Sequence, residues 1–345
     1  MFFRKPLSAF TAILSIVVVG LALFGGVGSS VINLPFLNTG PRHSLTGESG
    51  KDSQVIVIKV DDTTYAHPQV GLHSADVVYI EQVEGGLTRL AAVFSSKIPQ
   101  IVGPVRSARI SDIELLSQYG KVGFAYSGAQ RLMLPVIASA NLYDLGATHF
   151  GPKFYQNDPA RIAPYAMMLK VPELLNESKL RGNALSESSP MGWTFGDAPE
   201  NLLDISKVHI SWPASSYGAE WSEDENRWLL IHNGNVDVDD TGYRLGPKTI
   251  LIQIVSITDS IYHDKVGGVT PFSATVGSGR CYLLRNGGYV PCLWSRQSAE
   301  SGTTFTDVAG NPVNFESGQI WFALTAKEPI FTPAQSQDAT KSASK

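Results

Sequence analysis

A long uncharged segment near the N-terminus limits where the rest of this chain can fold. Residues 7–32 contain no charged side chain, and about 20 apolar residues in a helix are enough to cross a bilayer core of ~30 Å. Arg4 and Lys5 precede the segment, and positive charge before a span keeps that end in the cytoplasm. The pattern predicts a cytoplasmic N-terminus over 1–6 and a single-pass transmembrane signal-anchor over 7–32, with everything after it extracytoplasmic. A cleaved signal peptide is the alternative, and it exports the same remainder.

Composition indicates what class of protein the exported part belongs to. The chain has 345 residues, of which 43% are apolar and 17% charged, as in globular proteins with room for two domains. Taking Arg4 and Lys5 out of the formal charge of −4 leaves −6 for the remainder. A nucleic-acid binder needs a basic surface to neutralise phosphates, so the charge argues against a nucleic-acid partner.

The exported part divides by the type of its periodicity. Residues 33–54 are rich in Gly, Pro, Ser and Asn and predict a stalk, and residues 331–345 predict a disordered tail. Alternating strands and helices predict an α/β domain over 55–195. Strands with few helices predict a mainly antiparallel β domain over 205–330.

Particular segments carry these assignments. Ser111 and Glu114 have the spacing of a capping box and predict a helix start, and Glu84-Gly85-Gly86 predicts a hairpin turn. The remaining N-terminal elements are predicted strands at 55–60, 77–83, 87–94 and 122–126, and predicted helices at 131–140 and 166–175. The C-terminal strands are predicted at 208–212, 228–232, 249–257 and 319–325.

The two cysteines flank a hairpin signal. Asn286-Gly287 suits the positive φ angles of a type I′ turn, and counting outward from it places Cys281 opposite Cys292. Directly opposed cysteines lie within the Cα separation that a disulfide accepts, and an exported chain meets an oxidising environment. The pattern predicts a structural disulfide, with two buried free thiols as the alternative.

One dense group of polar residues follows the predicted strand ends of the first domain. In an open α/β sheet, such positions converge on the usual ligand crevice. Arginines there offer bidentate recognition of carboxylate or phosphate groups. The predicted catalytic residues are Asp61 and Glu84, and the predicted ligand-binding residues are Arg89, Arg106, Ser107, Arg109, Asp112 and Ser127.

Less specific interpretations compete with these assignments. A structural salt bridge from Arg89 to Glu84 or Asp112 is as good an explanation of that arginine as a ligand contact. Ser127 lacks the surroundings of a nucleophilic serine. The seven histidines are scattered without ligand spacing, so the sequence predicts no metal site and no cofactor.

Several motifs together resemble one family, the YerB-like lipoproteins, whose two halves are domains of unknown function. The resemblance covers about residues 45 to 325. Its motifs in the first half are SLTG (44–47), the strand ending in Asp61, HPQ-x-GL (67–72), ADVVY (75–79), VEGGLTR (83–89) and GPVRSAR (103–109). In the second half they are DDTG (239–242), VGSG (276–279) and Trp294. The resemblance implies the fold and an extracytoplasmic location, and it supplies no reaction.

This sequence departs from the family's pattern at specific positions. His67 stands where relatives usually carry arginine, and Asp62 stands where they carry asparagine. Tyr165 and Ala166 replace a histidine and an asparagine, and a membrane helix replaces the lipid anchor. If the replaced His and Asn serve catalysis in relatives, this chain lacks that chemistry or uses other groups.

These observations predict a membrane-anchored envelope protein that binds an anionic or glycan ligand related to the cell wall. An extracytoplasmic hydrolase or transferase acting on an envelope polymer, with Glu84 or Asp61 as acid or base, is the alternative. Assembly with another membrane protein is a third possibility. Convergence of the arginines and carboxylates in one pocket is the observation that separates a site from a scaffold.

Overall fold

A computed structural model describes residues 40–334, which are mostly β-sheet with few helices. The strands are β1 Ile56–Asp61, β2 Val77–Gln82, β3 Thr88–Phe94, β4 Ile101–Val102, β5 Val122–Ala125, β6 Leu142–Asp144, β7 Tyr155–Asn157, β8 Met167–Lys170, β9 Leu203–Ser211, β10 Ser216–Ser222, β11 Arg227–His232, β12 Asn235–Val236, β13 Thr249–Ile254, β14 Ile257–His263, β15 Val269–Ser273, β16 Gly277–Arg285, β17 Gly288–Arg296, β18 Thr304–Thr306, β19 Ile320–Thr325 and β20 Ile330–Pro333. The helices are α1 Ile110–Ser117, α2 Leu134–Ser139, α3 Ala147–Phe150 and α4 Val171–Leu180. Short 3-10 turns cover Thr64–Ala66, Leu72–Ser74, Glu84–Gly86 and Arg131–Met133.

One large sheet runs through both halves of the described chain. Its order is β12-β11-β10-β9-β17-β16-β13-β19-β2-β3-β1-β5-β6, with β18 beside β17 and β20 beside β9. The halves meet where β19 pairs in parallel with β2, aligning Phe322 with Tyr79. β4, β7 and β8 form a separate small sheet, and β14 and β15 form an isolated hairpin.

The centre of the sheet is buried on both faces. In β1, Ile56, Ile58 and Val60 belong to one apolar cluster, and Val57 between them belongs to the other. Alternate side chains of a strand point to opposite faces, so a strand covered on both sides reads as an almost continuous apolar run. The residue that interrupts this run in β1 is Lys59, whose side chain is fully buried.

The hairpin prediction is confirmed in detail. β16 and β17 pair with Cys281 opposite Cys292 and Arg285 opposite Gly288. Asn286 and Gly287 have φ angles of 49° and 74°, as a type I′ turn requires. The disulfide is present, with the two Cα atoms 4.7 Å apart.

Two helix predictions need correction. Residues 166–175 are not one helix, because Met167–Lys170 is strand β8 and pairs with β4 and β7. The helix begins at Val171, where Pro172 occupies its first turn, a position that tolerates the missing N–H. The predicted capping box of Ser111 and Glu114 does not form. Asp112 instead accepts the N–H of Arg109 at 2.6 Å.

The ends of the folded region also differ from the prediction. Residues 41–54 were expected to belong to a stalk, yet Leu45 is fully buried and Ser44 donates hydrogen bonds to Asp52 at 2.7 and 2.8 Å. Phe331 to Pro333, predicted as the start of a tail, extend the sheet as part of β20. Residues 1–39 and 335–345 lie outside the described part. The domain boundaries stay a prediction.

The signal-anchor prediction concerns residues 7–32, which also lie outside the described part. Within residues 40–334, no helix combines the length and apolar character needed to cross a membrane.

Candidate functional site

Most of the predicted site residues converge on one cavity. A cavity of about 400 Å³, the arginine pocket, is lined by Glu84, Arg89, Arg106, Ser107, Arg109, Ala129, Gln130, Pro164, His263, Asp264, Lys265 and Val266. Five of these were predicted from the sequence as site residues. The predicted convergence of the arginines with Glu84 is therefore present in the structure.

Two neighbouring backbone segments bring the arginines together. Arg89 lies in β3, opposite Asp61 of β1 on one side and Glu81 of β2 on the other. The GPVRSAR segment runs beside the end of β1, where the Arg106 N–H donates to the carbonyl of Lys59 at 2.8 Å. Two residues on, the Ala108 N–H donates to the carbonyl of Gly128 at 2.9 Å. This path fixes the segment between the ends of two strands, and Arg106, Ser107 and Arg109 line the pocket.

One side of the pocket comes from the C-terminal half. The turn between β14 and β15 supplies His263 to Val266, and Val266 is 91% exposed. Thr270 of β15 donates a short hydrogen bond from its hydroxyl to Glu84. The backbone N–H of Ser273 donates to the hydroxyl of Ser111 at 2.9 Å, which holds the hairpin against α1. The pocket therefore requires both halves of the chain.

The three arginines differ in how their charge is compensated. Arg106 Nε lies 2.7 Å from Asp61 Oδ2, and Arg109 Nε lies 2.7 Å from Glu84 Oε1. Arg89 has no ion pair among the described residues; its guanidinium donates to the carbonyl of Ser107 at 2.9 Å. The salt bridges that the sequence offered for Arg89, to Glu84 or Asp112, are not formed in the described part of the chain. Arg89 is 9% exposed, so it is a nearly buried cation beside two others.

Burial and neighbouring charge shift two pKa values in the arginine pocket. Burial lowers the pKa of Arg89 to about 9, and the positive charges of Arg109 and Arg106 act in the same direction. Burial alone would raise the pKa of Glu84, but the Arg109 guanidinium and the Thr270 hydroxyl outweigh it and hold that pKa below its usual range. At neutral pH the pocket therefore holds an ionised glutamate already paired and an arginine whose charge lacks a carboxylate partner.

The other predicted site residues lie beside the pocket or beneath it. Asp61 is fully buried and accepts hydrogen bonds from the N–H and hydroxyl of Thr63, both at 2.8 Å. Asp112 is fully buried as well, 2.6 Å from Lys59 Nζ. The Ser127 hydroxyl lies 3.5 Å from that of Ser107 and is not part of the pocket lining. Asp61 was predicted to be catalytic, and Asp112 and Ser127 were predicted to bind the ligand, but none of the three lines the pocket.

A second group of buried polar residues was not predicted from the sequence. Asp62, His67, His232 and Asp237, called here the histidine cluster, join the two halves next to the end of β1. His67 Nε2 lies 3.4 Å from Asp62 Oδ1 and His67 Nδ1 lies 3.2 Å from Asp237 Oδ1. Burial alone would lower the pKa of His67, but Asp237 and Asp62 raise it to about 10. Burial lowers the pKa of His232. The HPQ motif was noted, but its partner histidine is too distant in sequence for a ligand-spacing argument.

Comparison with known proteins places most of the described chain in one family. Two family profiles match, "Protein of unknown function (DUF3048) N-terminal domain" over residues 45–184 and the corresponding C-terminal domain over residues 208–322. The chain belongs to this YerB-like family. The predicted resemblance is therefore confirmed.

Two YerB comparisons extend this result. The protein named "Putative lipoprotein YerB" from Bacillus subtilis is 26% identical over 286 residues, covering 81% of this chain and 83% of that one. The crystal structure of YerB from Bacillus subtilis matches with a TM-score of 0.71 at 19% identity, covering 84% of this chain and 99% of that chain. The structural likeness concerns the fold alone.

Two of the positions where this chain departs from the YerB-like pattern lie beside the two polar groups. His67 belongs to the histidine cluster, and Tyr165 lies under Arg106, whose guanidinium carbon is 5.6 Å from the ring centre. Between them lies a further cavity of about 620 Å³, lined by Tyr65, His67, Pro68, Asp158, Ala160, Arg161, Ile162 and Tyr165. Two of the departures from the family pattern, His67 and Tyr165, therefore line one cavity.

Proposed function

We propose that this protein is a membrane-tethered, extracytoplasmic envelope protein that binds an anionic glycan through the arginine pocket. The observation that carries the proposal is Arg89, a nearly buried cation with one carbonyl partner and no ion pair in the described chain. Burying a charge without an ion pair is costly, and the nearby carboxylates of Glu84 and Asp61 offset that cost only in part, since the pKa of Arg89 is still lowered. An anionic group on a ligand would supply the missing partner, which explains why the cost is tolerated.

The neighbouring groups support recognition of a carboxylate or a phosphate. Arg106 is half-buried and uses its Nε toward Asp61, while Lys265 adds a further positive charge at the rim. Guanidinium groups form paired, charge-assisted hydrogen bonds with planar or tetrahedral oxyanions. Glu84 is engaged by Arg109 and Thr270, so it neutralises part of the pocket without filling it.

An aromatic surface beside the pocket supports a sugar in the ligand. Tyr65 is 77% exposed and its ring centre lies 5.5 Å from that of Tyr165. Ile162, which is 83% exposed, lines the same cavity. Exposed aromatic and apolar side chains grouped in a concave surface mark binding sites. An elongated glycan could place a ring on the tyrosines and its acidic group on the arginines.

The location rests on separate grounds. Residues 7–32 are uncharged and follow Arg4 and Lys5, which is typical of a signal-anchor with its N-terminus in the cytoplasm. The relative from Bacillus subtilis carries the name of a lipoprotein, and a lipid anchor also tethers a protein to a membrane. A cell-envelope ligand is the class that such a location makes accessible.

The binding test uses the full chain in detergent micelles. Retention is measured on two immobilised probes, peptidoglycan glycan strands, which carry carboxylates, and a polyglycerol phosphate polymer. A charged hydrogen bond is worth about 1.5–3 kcal/mol, so we expect Arg89→Ala and Arg106→Ala to weaken retention at least tenfold on the cognate probe. Tyr65→Ala should weaken retention of a sugar polymer and leave polyglycerol phosphate unaffected.

The control is Arg280→Ala, which removes the same charge from an exposed residue paired with Glu328. It should retain the probe as the unmodified chain does. Thermal unfolding of each variant separates loss of binding from loss of fold. Equal retention by the unmodified chain, Arg89→Ala and Arg106→Ala on both probes would overturn the proposal.

A hydrolase or transferase that uses Glu84 or Asp61 is the alternative, and the geometry favours it less. A general acid at neutral pH needs a raised pKa, whereas the pKa of Glu84 is lowered. Asp61 is fully buried and bound to Arg106 and Thr63. Release of soluble fragments from either polymer by the unmodified chain, abolished in Glu84→Gln, would favour catalysis over binding alone.

A further inference from the structure

The histidine cluster gathers metal-ligating atoms from both halves of the chain. Asp62, His67 and His232 each offer one ligand atom, and these atoms all lie within 4.8 Å of one another. Asp62 directly follows β1, while His232 ends β11. His232 Nε2 lies 3.8 Å from the same carboxylate oxygen, Asp62 Oδ1, that faces His67. Two imidazole nitrogens therefore converge on one buried carboxylate.

Several buried atoms in this cluster or next to it lack hydrogen-bond partners among the described residues. His67 Nε2, Asp237 Oδ2 and Gln69 Oε1 are buried without a hydrogen bond among the described residues. Buried polar atoms are nearly always satisfied, so each such atom requires an explanation. The Asp62 and Asp237 side chains are fully buried. A divalent cation would neutralise these two carboxylates when it replaces the proton of His67.

The atoms around the cluster resemble the supporting shell of a metal site. Asp237 Oδ1 lies 3.2 Å from His67 Nδ1, which is the carboxylate–histidine arrangement that orients a ligating imidazole. Tyr217 donates to Asp62 Oδ1 at 2.6 Å and Thr88 donates to Asp62 Oδ2 at 2.5 Å. Ligating carboxylates are themselves hydrogen-bonded in this way. Both imidazoles also line a cavity of about 370 Å³, which gives an ion a path of entry and room for water.

We propose that His67, His232 and Asp62 bind a divalent transition-metal ion, with Asp237 orienting His67 and water completing the coordination. Two imidazoles and a carboxylate with one open position match the ligand set of zinc. The imidazole rings stack with their centres 4.2 Å apart and their planes 11° apart. Two nitrogens can bind one ion at about 2.1 Å only when the rings tilt out of this stack. Metal binding therefore changes the environment of both rings.

This proposal is independent of the ligand of the arginine pocket, because it rests on different residues. The test uses the full chain without an affinity tag, in detergent micelles, after removal of metal with a chelator. Titration with zinc followed by calorimetry should show saturable binding with one ion per chain. Cobalt(II) should give the visible absorption of a low-symmetry site containing nitrogen ligands.

Variants identify the ligands. His67→Gln and His232→Gln should abolish the saturable binding, and Asp237→Asn should weaken it by about 10–100-fold, as expected for an orienting partner. His149→Gln is the matched control, because His149 is an exposed histidine paired with Asp144. It should bind zinc as the unmodified chain does.

Linkage supplies a second readout that requires folded protein. A metal that binds only the folded state raises the melting temperature, and the increase grows with the logarithm of the free metal concentration once that concentration exceeds the Kd. Zinc should raise the melting temperature of the unmodified chain and of His149→Gln, but not that of His67→Gln or His232→Gln. Absence of saturable zinc binding by the unmodified chain would overturn the proposal and leave a protonated His67 as the counter-charge of the two carboxylates. Equal binding by all variants would also overturn it.

Discussion

At the scale of single residues, the charge beneath the arginine pocket is organised around one buried lysine. Lys59 Nζ lies 2.8 Å from Glu81 Oε1 and 2.6 Å from Asp112 Oδ1, and all three side chains are fully buried. One cation cannot neutralise two carboxylates. Burial therefore raises the pKa of Glu81 to about 8; the Lys59 charge opposes this shift, and Asp112 adds to it. Glu81 is protonated at neutral pH, which leaves a neutral pair of Lys59 and Asp112.

This arrangement predicts how the free energy of unfolding depends on pH. The ordinary pKa of Glu81 is 4.5, and its folded-state value is about 8. The folded state therefore binds the proton more tightly. The stability that this proton contributes is complete below about pH 4.5 and is lost as pH rises through about 8. Glu81→Gln should unfold with a flatter pH dependence between these limits, by an amount on the order of a few kcal/mol. Urea denaturation at successive pH values measures it.

Glu84→Gln provides a control with the opposite sign. The pKa of Glu84 is lowered in the folded state, so its contribution is present above its ordinary pKa of 4.5 and is lost as pH falls. The difference between the unmodified chain and Glu84→Gln should therefore shrink toward acid pH. A Glu81→Gln curve parallel to that of the unmodified chain from pH 4.5 to 8 would contradict the assignment.

At the scale of elements, the turn between β2 and β3 joins the two halves at the edge of the arginine pocket. Gly85 and Gly86 have φ angles of 68° and 73°, in the left-handed region that favours glycine. A side chain at Gly85 would meet nothing within 4 Å, whereas a Cβ at Gly86 would lie 2.5 Å from Pro213 Cβ. The Ala214 N–H also donates to the Gly86 carbonyl at 2.9 Å. Gly86 is therefore a point of contact with the C-terminal half.

Alanine substitutions at Gly85 and Gly86 separate the cost of backbone conformation from the cost of side-chain packing. Gly85→Ala should cost only the left-handed backbone penalty, about 1–2 kcal/mol. Gly86→Ala adds overpacking against Pro213, which typically costs a further 1–3 kcal/mol. Chemical denaturation of the two variants measures the difference. Equal stabilities for the two would show that the contact with Pro213 yields without cost.

The elements that could be predicted are those specified by residues close together in the sequence. The Cys281–Cys292 hairpin was predicted with its register because Asn286-Gly287 defines a two-residue turn, and one turn fixes every pair that follows. Met167–Lys170 was predicted as helix because its four residues carry no strand pattern of their own. Its pairing with Ile101–Val102 and Tyr155–Asn157 is a tertiary contact, and tertiary context overrides local propensity.

The difference between local sequence signals and tertiary contacts also decides which site residues could be predicted. Arg89, Arg106 and Glu84 could be predicted to converge because they stand next to strand ends of one domain. The contribution of residues His263 to Val266 could not be predicted, since nothing in the first domain indicates which distant hairpin covers the pocket. His67 and His232 meet only because β11 packs near the end of β1, a relation that no sequence spacing expresses.

At the scale of the whole molecule, the sequence pattern separates two regions, but the sheet joins them. β19 from the C-terminal half lies between β13 and β2, and its Trp321 and Phe322 are each 1% exposed. The Phe322 ring stacks on Tyr79 with centres 4.8 Å apart. Without β19, β2 would become the edge of the sheet and expose a run of apolar side chains, which favours aggregation. The N-terminal half therefore depends on the C-terminal half for its core.

This dependence predicts the behaviour of separated halves. Fragments 41–200 and 201–334, expressed alone, should each lack a cooperative thermal transition and the near-ultraviolet circular dichroism of packed aromatic rings. Mixed in equal amounts they should regain both, because the β2–β19 pairing buries the apolar surfaces that each fragment exposes. The continuous fragment 41–334 is the control.

A single substitution tests the same interface without cutting the chain. Phe322→Ala removes the ring that contacts Tyr79 and should cost about 3–5 kcal/mol, as for other buried phenylalanines. Because one sheet spans both halves, the loss should lower the midpoint of one shared transition and leave no separately melting half. A cooperative transition in fragment 41–200 alone, or two separate transitions in Phe322→Ala, would show that the halves fold independently despite the shared sheet.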